Sequence, residues 1–329
     1  MQKLYIGVDV GKTHYRVGIL DASSELVDFG KWPYERTGYA GFLAALTRSV
    51  DERLASVRAA PGDVGAMGVA LPGIVNRRTG VLRHALDFDF MAGRSIADDL
   101  SARYGCPVLD DVDTIAAAWG ELTAGIGREC DRFALLTWGT SIGAGLILDG
   151  RVVAYEDDLF PEFGHVKVSD DERPCMCGAS GCFASMVSGP GIAASGREAA
   201  ESGRSEALAA ILKRGAGPVT AAAVFDAAES GDAGAQAILH RVGVLFGRLY
   251  AALVYFCQPK RIVVTGGLTP RFPAIEKVVR ETMNANCWLL AGGFTHCEPV
   301  MSSLEDTAGV IGSAAQARAQ SRTRARESP

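Results

Sequence analysis

The sequence predicts an α/β protein of two domains built from duplicated halves. At 329 residues the chain is long enough for about two domains, each with its own core. Ile6 to Asp21 reads as strand, small glycine-containing turn, strand, and Phe133 to Gly150 repeats that arrangement in topology though not in sequence. A third apolar strand, Arg261 to Thr265, runs into Gly266 and Gly267.

The elements follow from patterning. Leu4 to Val10 is an apolar run rich in β-branched residues, and Tyr15 to Leu20 and Leu26 to Lys31 read as the next two strands. Gly41 to Ala59 carries helical spacing, with Phe42, Leu43, Leu46, Val50, Leu54 and Val57 on one side. Val64 to Leu71 returns to strand and stops at Pro72-Gly73, because proline and glycine punctuate regular structure. Ile96 to Tyr104 is predicted helical, Pro107 to Leu109 a short strand, and Thr114 to Ala124 a small-residue helix. In the second half, Phe133 to Trp138 is a strand, Gly139 to Gly145 a glycine-rich turn, and Leu146 to Leu148 the returning strand. The expected division is a first domain over 1–115, with a helix over about 304–320 packing back on it, and a larger domain over 116–303. The Arg-rich end, 321–329, reads as a fraying helix end or a disordered tail.

Composition excludes several classes. Hydrophobic residues make up 48% and charged residues 22%, the balance of an ordinary soluble globular protein. A net charge of −5 argues against a nucleic-acid partner, which calls for a basic excess. The start MQKLYIGVDVGKT enters a strand at once and offers no secretory leader. No run of eighteen uninterrupted apolar residues predicts a membrane span, so the expected location is the cytoplasm. Cys106, Cys130, Cys257, Cys287 and Cys297 are scattered and read as small core residues in a reducing compartment.

The remaining cysteines form a pattern. Nine residues separate His165 from Cys175, one separates Cys175 from Cys177, and four separate Cys177 from Cys182. Three thiols and an imidazole match the donor set of a closed tetrahedral zinc site, and Gly178 and Gly181 allow the tight turns it needs. Core filling and disulfide pairing are the plainer alternatives; a Cys-x-Cys loop is short for a mutual bridge.

Two turns suit phosphate. Asp9-Val10-Gly11-Lys12-Thr13 offers close backbone approach at Gly11, a charge at Lys12 and a hydroxyl at Thr13, with Asp9 placed to hold a hydrated Mg²⁺. Alone that pentapeptide is weak, but Gly139, Thr140, Gly143 and Gly145 supply a second such turn at the duplicated position. Asp113 stands before a helix, where it could accept a hydroxyl proton or simply cap the helix. Asp110 and Asp111 nearby read as caps or solvated charges whose crowding raises their pKa values.

In order from Ile6 to about Ala314, IGVDVGKT, GVALPGIVN, the Asp113 region AAAWGE, LTWGTSIGAGLILDG, PEFGHVKV, CMCGASGC and SSLEDTAGVIGSA resemble the successive motifs of the ROK family. These are bacterial sugar kinases and related repressors, so the resemblance implies a two-domain actin-like ATPase (ribonuclease H-like) fold with an interdomain cleft. It implies Mg-ATP at Asp9, Gly11, Lys12 and Thr13 and at Gly139, Thr140, Gly143 and Gly145, with Gly266 and Gly267 on the adenosine side. It places the catalytic base on Asp113 and sugar contacts on Gly73, Asp113, Glu162 and His165, with structural Zn²⁺ on His165, Cys175, Cys177 and Cys182. A homodimer is common among similar proteins.

The departures fall where the family contacts sugar. Val112 stands where asparagine usually precedes the catalytic aspartate, and Ala184 replaces a glutamate two residues past the last cysteine. His84 to Phe90 replaces a further contact segment, and His84, Asp87 and Asp89 could supply other contacts. The expected function is an ATP-dependent kinase acting on glucose, an amino sugar or a cyclitol. The competing readings are a sugar-binding regulator, a pseudokinase, or a kinase using polyphosphate.

Overall fold

The computed structural model describes residues 3–11, 13–33, 38–76, 81–84, 88–91, 93–154, 160–215 and 217–327. Lys12, Ala85, Leu86 and Asp87 lie outside them. In chain order the elements are β1 (Leu4–Val10), β2 (His14–Leu20), β3 (Leu26–Pro33), α1 (Gly38–Ser56), β4 (Val64–Leu71), β5 (Ile74–Asn76) and β6 (Val81–His84). Then come α2 (Ile96–Tyr104), β7 (Val108–Val112), α3 (Asp113–Thr123), β8 (Phe133–Trp138), β9 (Ile142–Leu148) and β10 (Arg151–Val152). Helices dominate the rest: α4 (Phe183–Val187), α5 (Gly189–Glu201), α6 (Glu206–Lys213), α7 (Ala221–Glu229) and α8 (Ala233–Cys257). They are followed by β11 (Arg261–Thr265), α9 (Pro273–Ala285), α10 (Trp288–Ala291), β12 (Glu298–Met301) and α11 (Ala308–Glu327).

The chain divides into two compact units. The first comprises Met1–Asp131, Gly145–Phe160 and Ser303–Pro329, so it runs past the expected boundary at 115; the second comprises Arg132–Ala144 and Pro161–Ser302. The first is built on a five-stranded sheet of order β3-β2-β1-β4-β7, in which β1, β4 and β7 are parallel and β2 and β3 antiparallel. Ile6, Val8, Val17, Ile19, Val69, Phe42 and Leu46 form its core on one face. Tyr5, Leu20 and Ala66 pack with Ile311, Ala314 and Ala317 of α11 on the other. Apolar side chains on both faces explain why β1 and β4 read as nearly continuous hydrophobic runs.

Helix α11 lies almost flush on its neighbours because glycines face it. A Cβ on Gly7 would stand 1.9 Å from the Val310 carbonyl oxygen, and one on Gly68 the same distance from that of Ser313. Within α11 itself, a Cβ on Gly312 would meet the Ala116 carbonyl oxygen of α3 at 1.6 Å and the Gly120 nitrogen at 2.4 Å. Neither atom can move without shifting a helix. Gly312→Ala should therefore lower stability by roughly 3 kcal/mol or more, through overpacking against backbone. A urea unfolding curve checks this: an unchanged midpoint would mean the two helices separate freely. Helix α11 also continues past the expected end at 320 to Glu327, so the predicted tail is helical nearly to its end. Its Ala, Gln and Arg residues are strong helix formers and extend the helix beyond its packed turns.

The second sheet has the order β10-β9-β8-β11-β12, with β8, β11 and β12 parallel, and the unit boundary falls within β9. Trp138, fully buried, packs edge-on against Phe225, Phe246 and Phe272 and donates its indole N–H to the Val187 carbonyl at 2.7 Å. The expected turn over Gly139 to Gly145 is shorter than predicted. Strand β9 begins at Ile142, so Gly143 and Gly145 lie within it, and the Gly143 amide donates to Thr137 Oγ1 at 2.9 Å. Glycines in a strand remove the alternation that announces one. Helix α8 is long and apolar enough to cross a membrane, yet 61% of its most apolar window is buried. It serves as a core helix against α7 and α9.

Candidate active site

In the first unit, three parallel strands deliver candidate residues to one edge. Asp9 pairs in register with Ala70, and Ala70 with Asp111, so the carboxyl ends of β1, β4 and β7 are level. Asp9 lies at the first of these ends, Gly73 just past the second and Asp113 just past the third. Loops beyond the carboxyl ends of parallel strands are where open α/β sheets bind ligands. Gly73 has φ +118°, a conformation glycine takes without strain.

Asp113 is the first helical residue of α3, and Val112 occupies the cap position expected of Asp113. Its Oδ1 accepts from the Thr114 amide at 2.7 Å and the Thr114 hydroxyl at 3.2 Å, and its side chain is half-buried. These contacts fix the carboxylate at the strand-to-helix corner.

Asp9 belongs to a charge chain that the sequence did not announce. Arg16, opposite it in the β1–β2 ladder, donates to Asp9 Oδ2 at 3.2 Å and to Asp306 Oδ1 at 2.6 Å, and Lys31 reaches Asp306 Oδ2 at 2.6 Å. Burial pushes the Asp9 carboxyl pKa up, and Arg16 works against that. Among the described residues Oδ1 of Asp9 has no hydrogen-bond donor, which leaves one hard oxygen for a cation. Gly11 closes the β1–β2 turn by donating to the His14 carbonyl at 2.9 Å, and Thr13 is exposed beside it.

The second unit repeats the arrangement. Strands β8 and β11 pair with Thr137 opposite Thr265, so Gly139 and Gly266 leave the sheet side by side. The Leu268 amide donates to the Trp138 carbonyl at 2.9 Å, and Gly266, at φ +99°, passes the Trp138 backbone too closely for any side chain. Helix α5 begins at the same place, its Gly189 amide bonded to the Gly139 carbonyl at 2.8 Å. Gly139, Thr140, Gly266 and Gly267 thus come together, whereas Gly143 and Gly145 lie further along β9.

His165, Cys175, Cys177 and Cys182 also converge, their donor atoms all within 4.8 Å of one another. A tetrahedral ion bonded to sulfur at about 2.3 Å and nitrogen at about 2.0 Å holds S···S near ~3.8 Å and S···N near ~3.5 Å. Cys177 and Cys182 sulfurs are 3.7 Å apart, and Cys175 Sγ is 3.4 Å from His165 Nδ1. The donor set and its spacing fit such an ion. His165 faces the thiols with Nδ1, which leaves Nε2 for another partner. The loop is shaped by the Cys175 amide bonded to Ala179 at 2.8 Å and the Gly181 amide bonded to Arg173 at 3.0 Å. Arg173 ties it to α5 through the Gly191 carbonyl, the Ser195 hydroxyl and both oxygens of Glu198. Its tip touches the Gly139 turn, Ser141 Oγ standing 3.6 Å from Met176 Sδ. Glu162 precedes His165 at the surface, its carboxyl pKa pushed up by the surrounding protein and pulled down by His165.

The sequence profile of the ROK family matches residues 5–320. The chain belongs to the ROK family. Glucokinase from Halalkalibacterium halodurans is 28% identical over 315 residues, covering 94% of this chain and 93% of that one. The ROK glucokinase of Streptomyces griseus, solved with glucose and AMPPNP, superposes with a TM-score of 0.78 at 26% identity, over 96% of this chain and 99% of that one. A ROK transcriptional regulator, a homologue of the E. coli MLC protein, superposes at 0.81 over 97% of this chain and 78% of that one. At 19% identity it shares the fold alone. The fold is thus the actin-like ATPase fold of the ROK sugar kinases.

In this ROK protein Ala184 is a buried residue of α4, two positions past Cys182, and Phe88 and Phe90 join the core with Phe42. Those aromatics are structural, which removes them from the altered contact segment His84 to Phe90. Of the two readings of Asp110, cap or solvated charge, the structure excludes the solvated one and gives it a contact with the first turn of α2. It is 2% exposed, accepts from the Ala97 amide at 3.2 Å with Oδ2, and among the described residues has no partner at Oδ1. Burial, more than Asp98 or Asp111, pushes its pKa up to about 8. Between the ordinary carboxylate range and pH 8 the unfolded chain therefore releases a proton that the folded chain retains, so stability falls as pH rises. Asp110→Asn should flatten that decline, leaving the variant relatively more stable at pH 8 than at pH 4. Parallel urea midpoints would expose an error, because equal pH slopes in both proteins contradict a neutral Asp110.

Proposed function

We propose that this carbohydrate kinase transfers the γ-phosphoryl group of ATP to a hydroxyl of a hexose or hexose-like acceptor, with Asp113 as general base. The observation that carries the reading is the fixed carboxylate of Asp113 at the same strand edge as Asp9 and Gly73. As the acceptor oxygen bonds to the γ-phosphorus and the bond to the ADP oxygen breaks, Asp113 takes the hydroxyl proton. Gly11 lets the chain approach the phosphates closely, and backbone N–H groups around Gly139, with the Thr13 and Thr140 hydroxyls, hold phosphate oxygens. Gly266 and Gly267 leave room for the adenosine. Asp9 would hold Mg²⁺ through its unengaged oxygen, and the ion when bound offsets phosphate charge.

Glu162 and His165 Nε2 bind acceptor hydroxyls. Zn²⁺ is the ion that His165, Cys175, Cys177 and Cys182 would hold, in a closed structural site that fixes the His165 ring. Val112 and Ala184 offer no polar group to the acceptor, which favours a ring less polar or bulkier at the matching positions, an amino sugar or cyclitol beside glucose.

The test is ADP release from MgATP across glucose, mannose, free and N-acetylated amino sugars, fructose and cyclitols. Strong turnover of one of these is expected. Silence across the whole panel, from folded protein with its metal bound, would refute a hexose-like acceptor.

A further inference from the structure

A cleft of about 400 Å³ lies in the second unit, between one face of α8 and the loop that follows His165. His240, Arg241, Val244 and Arg248 line it from the helix, at the spacing of one helical stripe, with Leu245 beside them. Val168, Ser169 and Asp170 line it from the loop. Its size falls in the range of small-molecule sites. Val168, Val244 and buried Leu245 supply the apolar atoms of its floor. His240, Arg241 and Arg248 line the helix side, and Ser169 and the Asp170 carboxylate line the loop side, so the lining is more polar than apolar.

The basic groups differ in their commitments. Arg241 reaches Ser169 Oγ at 3.3 Å and Asp171 at 3.4 Å, bracing the loop against the helix. Asp170 is fully exposed and 3.9 Å from Lys167. Among the described residues His240 and Arg248 have no hydrogen-bond or ion-pair partner, although both project into the cleft. On a chain of net charge −5, the uncompensated Arg248 guanidinium, with a ring N–H of His240 beside it as a further donor, forms a localised anion-attracting point. A guanidinium prefers a bidentate oxyanion, and the floor suits the face of a ring.

We propose that this cleft binds a phosphate monoester carried on a sugar ring, with Arg248 and His240 on the phosphate and Val168, Val244 and Leu245 under the ring. The ligand class matches the product of the proposed reaction, and in that respect alone the assignment rests on the kinase reading. Bound there, the ligand would bridge α8 to the segment that also pairs with the metal loop, through the Val168 and Ser169 amides on the Gly181 carbonyl at 3.0 and 3.3 Å.

Isothermal titration of the full chain with its metal bound, saturated with MgAMPPNP and glucose to block the active site, tests this. The probes are a hexose 6-phosphate, inorganic phosphate and the unphosphorylated hexose. One hexose phosphate per chain should still bind. Arg248→Glu should weaken that binding by about tenfold or more, as expected for loss of a charge-assisted pair, with turnover unchanged. His240→Ala should weaken it less. Inorganic phosphate binding as tightly as the sugar phosphate would overturn the ring contact. Binding that is absent, or that Arg248→Glu leaves intact, would overturn the site. If the chain lacked kinase activity, the Arg248→Glu comparison on the unblocked protein would still report on the cleft.

Discussion

Asp113→Asn should lower turnover by about 10²–10⁴-fold, the range lost when a positioned general base is removed, while nucleotide binding is unchanged. The substitution suits the geometry. Asparagine retains a side-chain oxygen to accept the Thr114 amide, so the corner between β7 and α3 keeps its shape. What it loses is the capacity to take the acceptor proton. The turns at Gly11 and Gly139, proposed to hold the nucleotide, do not pass through Asp113, so titration with AMPPNP should give the wild-type affinity. Near-normal turnover in this variant would place the base elsewhere. Loss of turnover together with nucleotide binding would instead mean that the first unit had been damaged.

Removing the metal proposed for the cysteine loop is expected to have the second-largest effect. Cys177→Ser is the cleaner variant, because Cys177 is exposed whereas Cys175 and Cys182 are buried and also fill space. The variant should retain little of the roughly one ion per chain that a closed four-ligand site holds. It should also unfold at a temperature several degrees lower, since binding energy at such a site is folding energy. With Nδ1 of His165 released, the ring loses its orientation, and KM for the acceptor should rise more than KM for ATP. Gly181→Ala offers a second route to the same result. Gly181 has φ +70°, and a Cβ there would stand 2.2 Å from the Ser169 carbonyl oxygen, so the loop cannot close around the thiols. Elemental analysis and initial rates decide the matter: a metal-free protein with an unaltered acceptor KM would detach the cluster from acceptor binding.

Much of this was legible in the chain because the signals were local. The spacing of His165, Cys175, Cys177 and Cys182 announced a donor set before any fold was known, since ligands on one short loop need only turns to converge. Strands β1, β4, β8 and β11 were readable as apolar runs, and their ends marked Asp9, Gly139 and Gly266. Helices α5 to α9 were not assigned at all. Helix α8 is apolar around much of its circumference, so no periodicity marks a face, whereas α6 and α9 do carry amphipathic faces and were legible in principle.

The remaining features depend on residues far apart in the chain. Arg16 on Asp9 and Asp306, Gln316 on buried Asp111, and Gly312 against Ala116 join the chain's ends to its beginning, over separations no local pattern encodes. The role of Asp113 was open between cap and base on sequence grounds, and its position at the start of α3 depends on where β7 ends in register with β4. The sequence alone determined the α/β class, the glycine turn after the first strand and the convergence of three thiols and an imidazole, because backbone preference and short-range spacing act over a few residues. Tertiary structure alone decided that the strand ends are level, that the cysteine loop touches the Gly139 turn, and that Asp110 is buried with its pKa pushed up, because pairing register and desolvation are properties of the packed chain.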